Sequence, residues 1–134
     1  MGTAVRDDVI GLTPLERPDV GLVVAAWNAG ILGVLDLGRD PSAAQRALAA
    51  TSQMVRAFGV RVPDPRVVDT LPVSVTTVIV TTSTDIARFL PRRVLVQVTS
   101  LEDARAAVAA GASGVIAKGC EAGGRIGEIG RAHV

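Results

Sequence analysis

Six short apolar runs, separated by stretches with helical patterning, set the limits on what this chain can fold into. The runs occupy residues 9–11, 32–35, 58–62, 76–81, 94–98 and 115–117. They are close to continuous in aliphatic and β-branched residues and do not alternate with polar ones. That is the pattern of strands covered on both faces. Residues 18–29 read as a helix, with Pro18 near its start and Gly30 at its end. Asp40 caps a second helix that runs to about residue 57. Pro63 and Pro65 stop the third run, and residues 64–71 form at most a short helix. Residues 84–90 predict another short helix. Ser100 opens the last one, with Asp103 completing a capping box and Gly111 at the end. Strands alternating with helices through short connections predict an α/β fold on a parallel sheet. Two architectures satisfy this order, an open doubly wound sheet and a (β/α)8 barrel. The turn after the first run, Gly11-Leu12-Thr13-Pro14-Leu15-Glu16-Arg17, has no Gly-x-Gly-x-x-Gly fingerprint, which argues against a dinucleotide-binding sheet.

The sixth run discharges into a loop with glycines at 119, 123, 124 and 127. Four glycines in nine residues is heavy for a plain strand-to-helix connection. Such a loop lets backbone N–H groups approach an anion closely, and α/β folds place phosphates and cofactors at strand ends of this kind. Lys118 ends the sixth run, and Glu121 and Arg125 lie in the loop. Gln97 sits inside an apolar run, where a buried amide needs a hydrogen-bonding partner, either a ligand edge or a neighbouring core group. Thr13 and Thr81 end the first and fourth runs, where barrels put functional groups and where ordinary threonines are equally common. Trp27 lies among alanines on a helix and reads as packing. Cys120 has no acid–base pair near it in sequence and reads as inert.

Composition narrows the function classes. A net charge of +1 offers no electrostatic case for nucleic acid or a membrane surface. Trp27, Phe58 and Phe89 are the only aromatic residues, too few to stack a run of bases. The longest near-apolar stretch, residues 20–35, contains Asn28 and three glycines and is shorter than the ~20 apolar residues a membrane helix needs. With one cysteine there is no internal disulfide, which fits a cytoplasmic location. The single histidine, His133, lies in the last seven residues, 128–134, which read as a translated sequencing adapter and are set aside as an artefactual tail. With that histidine set aside, no metal site and no Ser-His-Asp set is expected.

Three stretches resemble the nitronate monooxygenases and related flavin-dependent enoyl reductases. Asn28-Ala29-Gly30-Ile31-Leu32-Gly33-Val34-Leu35 is similar to that family's helix-to-strand passage. Val94-Leu95-Val96-Gln97-Val98-Thr99-Ser100, followed by Ala104 and Ala107, is similar to its fifth strand and helix. Gly119-Cys120-Glu121-Ala122-Gly123-Gly124-Arg125-Ile126-Gly127 is similar to its Gly-x-Glu-Ala-Gly-Gly-His-x-Gly loop and is the most specific of the three. The resemblance spans residues 9–127 and implies an incomplete (β/α)8 barrel, about six of eight units, that holds FMN at the C-terminal ends of its strands. It implies cofactor contacts from Gly11, Leu12, Thr13, Gln97, Lys118, Gly119, Glu121, Gly123 and Gly124. Residues 1–127 would then be a partial flavin domain whose seventh and eighth strands, with their phosphate loops, are missing. Arg125 stands where the family has its histidine base, and a guanidinium stays protonated, so it cannot abstract a proton. It can bind an anion, polarise a carbonyl or hold a phosphate. Arg125 and the Leu12-Thr13-Pro14 opening resemble versions of the domain at the start of type I polyketide synthases. That setting implies a small-molecule or acyl substrate, neighbouring synthase domains as partners, and the alternative of a non-catalytic barrel acting as a structural or carrier-interacting module. The open edges of an incomplete barrel predict self-association.

Overall fold

The structure is a computed structural model that describes residues 6–119. Its elements run in the order β1 (Arg6–Leu12), α1 (Val20–Asn28), β2 (Ile31–Asp36), α2 (Pro41–Met54), β3 (Phe58–Val62), β4 (Val75–Val80), α3 (Ile86–Phe89), β5 (Arg93–Val98), α4 (Leu101–Ala109) and β6 (Gly114–Ala117). Short 3-10 turns at Pro65–Val67 and Ser83–Asp85 interrupt the connections around β4. The strands form one parallel sheet in which each pairs with its successor along the chain, β1 through β6. A doubly wound sheet reverses its strand order at a switch point. No reversal occurs here, and the order is that of six consecutive units of an incomplete (β/α)8 barrel.

Local chemistry explains the helix boundaries. Asp19 caps α1, its carboxylate accepting from the Leu22 N–H at 3.2 Å. Asp40 caps α2 by accepting from the Ser42 N–H at 3.0 Å, with Pro41 in the first helical position. The second helix stops at Met54, three residues short of the sequence expectation, because Val55 turns to an extended conformation (φ −133°, ψ 152°) and is buried. Ser100 Oγ accepts from the Asp103 N–H at 3.0 Å and opens α4, while Asp103 Oδ2 accepts from Thr99 Oγ1 at 3.3 Å. The helix expected over 84–90 divides into the 3-10 turn and α3. Asp64 caps the turn before β4, and the Arg66 guanidinium and backbone N–H hold its carboxyl below the usual carboxylate range. A lowered folded value means that this pair contributes above the ordinary aspartate pKa and is lost as acid protonates it. Arg66 is exposed, so the contribution is small.

The chain divides into two compact units at Thr77 and Val78. In the first, β2 and β3 are almost wholly buried, with Val34, Leu35, Phe58, Val60 and Val62 inaccessible to solvent. Helix α1 lies so close on β2 that a Cβ on Gly33 would sit 2.9 Å from the Val23 Cα. Helix α2 buries Ala44, Ala47, Leu48 and Thr51, and the Thr51 hydroxyl donates to the Ala47 carbonyl at 2.7 Å instead of reaching solvent. In the second unit Val78, Ile79, Val80, Ile86, Val94, Val96 and Val98 are buried, and α4 contributes Ala107. Each such aliphatic side chain supplies about 1.5–3 kcal/mol on burial.

The end strands depart from the expectation of two covered faces. In β1, Val9 is 41% exposed and Leu12 is 40% exposed. In β6, Val115 and Ala117 are exposed while Gly114 and Ile116 are half-buried. The physical reason is position. Among the described residues each of these strands has a neighbour on one side only.

Candidate functional site at the strand ends

In the first unit, polar groups gather where β1, β2 and β3 end. Thr13 follows β1 directly and is buried. Its Oγ1 accepts from the Asp36 N–H at 2.9 Å, while its own N–H donates to the Val34 carbonyl at 3.0 Å. Asp36, the last residue of β2, is inaccessible to solvent. Its Oδ1 accepts from the Gly38 N–H at 3.0 Å and its Oδ2 from Arg61 Nη1 at 2.8 Å. Asp36 and Arg61 are register partners on adjacent parallel strands, and the Arg61 side chain is only 5% exposed. The Leu37 N–H donates to the Arg61 carbonyl at 3.0 Å, closing a second bond between the same strand ends.

The loops beyond these strands interlock. Gly38 has φ +65°, and a Cβ there would meet the Glu16 carbonyl oxygen at 2.9 Å, so both backbone conformation and close approach require glycine. Glu16 itself takes φ +57°, an uncommon conformation for a residue with a side chain. Its carboxylate accepts from Arg39 Nε at 2.7 Å in an exposed pair. Of the three residues expected at the first strand end, Thr13 enters the polar network. A Cβ on Gly11 would lie 3.5 Å from Ala26 and Ile31, so Gly11 serves packing beneath α1. Leu12 is exposed.

In the second unit a half-open pocket of about 190 Å³ lies beyond the ends of β4 and β5. It is lined by Thr81, Thr82, Ser83, Val96, Gln97 and Asp103. Gln97 is 6% exposed. Thr82 Oγ1 donates to Asp85 Oδ2 at 3.1 Å and lies 2.9 Å from Thr84 Oγ1. Lys118 stands just past β6, half-buried, its N–H donating to the Val98 carbonyl at 3.0 Å. A Cβ on Gly119 would meet nothing within 4 Å. Cys120, Glu121, Gly123, Gly124 and Arg125 lie outside the described residues.

Asp36 and Arg61 are the polar residues that sequence reasoning missed. The signal was present: each is a charge at the end of, or within, an otherwise apolar strand, and such residues are rarely buried without a partner. Among the described residues no cluster of His, Cys, Asp or Glu could hold a metal ion, and no helix is long and apolar enough to cross a membrane. No family model matches the chain, and no curated protein matches it.

Proposed function

We propose that the chain is six units of an FMN-binding oxidoreductase barrel of the nitronate monooxygenase-like kind, derived from a polyketide synthase and located in the cytoplasm. The observation that carries this reading is the placement of polar side chains at the C-terminal ends of parallel strands, Thr13 after β1 in one unit and Thr81 and Gln97 at the ends of β4 and β5 in the other. That end of a barrel is where ligands are held. In the second unit Gln97 is a neutral hydrogen-bonding group and Lys118 is a cation, a pair that suits a polar, anionic cofactor. Bound flavin would supply the redox chemistry. The second unit would supply the hydrogen bonds of Gln97 and Lys118, the glycine-rich backbone of 119–127, and Arg125 as a clamp for an anionic or carbonyl-bearing acyl substrate.

Flavin titration tests it. The chain continued in its natural reading frame past residue 127 is expected to purify yellow and to quench FMN fluorescence on titration, and the 134-residue chain is expected to bind FMN weakly. Arg125→Ala in the continued chain should weaken flavin or substrate binding, with Arg125→Lys restoring it only in part. A colourless continued chain that leaves FMN fluorescence unchanged would remove the flavin reading.

A second reading, a non-catalytic barrel serving as a structural module of a synthase, is favoured by Asp36. Both of its carboxylate oxygens are engaged, by Gly38 and by Arg61, so the buried carboxylate is a structural group and not a base. The two readings separate on the same titration.

The half-covered end strands carry a further part of the proposal. Val9 and Leu12 on β1, and Val115 on β6, expose apolar surface beside strand edges that have no partner among the described residues. The 134-residue chain alone is therefore expected to self-associate, seen as a scattering mass above that of one chain. A monodisperse monomer with strongly protected amides in β1 and β6 would contradict this.

A further inference from the structure

No further inference is drawn: the strongest candidate, the groove of about 350 Å³ between the start of α1 and the face of α2 that carries Ala43, Ala47 and Ala50, is a stripe of small residues beside the exposed Arg46, and nothing in the structure shows what covers it.

Discussion

Arg61→Ala is expected to destabilise the protein by about 3–5 kcal/mol, the range for removing one partner of a buried ion pair. The substitution leaves the Asp36 carboxylate inaccessible to solvent with only the Gly38 N–H still bound to it in place of Arg61. A buried carboxylate in that position must either stay charged without its cation or take up a proton, and both are costly. Total stabilities of ~5–15 kcal/mol make this a large fraction of what the fold has. The double variant Asp36→Leu with Arg61→Met removes both charges and fills similar volume, so it should cost much less than Arg61→Ala alone. Urea unfolding of the wild type, both single variants and the double variant gives the coupling directly. Additive losses, or a loss below about 1 kcal/mol for Arg61→Ala, would show that the pair does not hold the ends of β2 and β3 together.

Gly33→Ala is the second large effect, expected at about 2–3 kcal/mol, toward the upper end for overpacking. A Cβ at this position would lie 2.9 Å from the Val23 Cα, 2.9 Å from its Cγ1 and 3.0 Å from its carbonyl oxygen. Two of those three atoms are helix backbone, so α1 itself must lift off β2. Two comparisons separate this from a general intolerance of added methyls. Gly114→Ala meets only Leu95 Cδ2, at 3.1 Å, the end of a side chain that can rotate, and should cost less than about 1 kcal/mol. Val23→Ala removes Cγ1 but neither backbone atom, so it should fail to rescue Gly33→Ala. Denaturant midpoints for these variants decide the matter. A rescue by Val23→Ala would mean that side-chain crowding, and not helix–strand approach, sets the distance.

Local chemistry was legible in the chain itself. Residues 58–62 form β3 as their β-branched, apolar character predicts, bounded by Pro63. Asp40, Pro41 and Ser100 open their helices because their side chains or rings satisfy the first turn wherever the chain goes next. The alternation of runs and helices predicted a parallel α/β sheet but left doubly wound and barrel orders open, since both share that alternation. Strand order decided between them, and order depends on which strands pair, a property of distant contacts. The same holds at the strand ends. Thr13 was identified as a candidate from its place after an apolar run, yet its partner Asp36 lies 23 residues away. Asp36 and Arg61, 25 residues apart, become one buried pair only through the β2–β3 register. The sequence by itself determined where strands and helices begin, because caps, prolines and β-branched runs act within a few residues. Tertiary structure alone decided which charges are buried together, which glycine must admit a helix backbone, and which strand faces stay exposed, because each of these depends on neighbours that folding brings together.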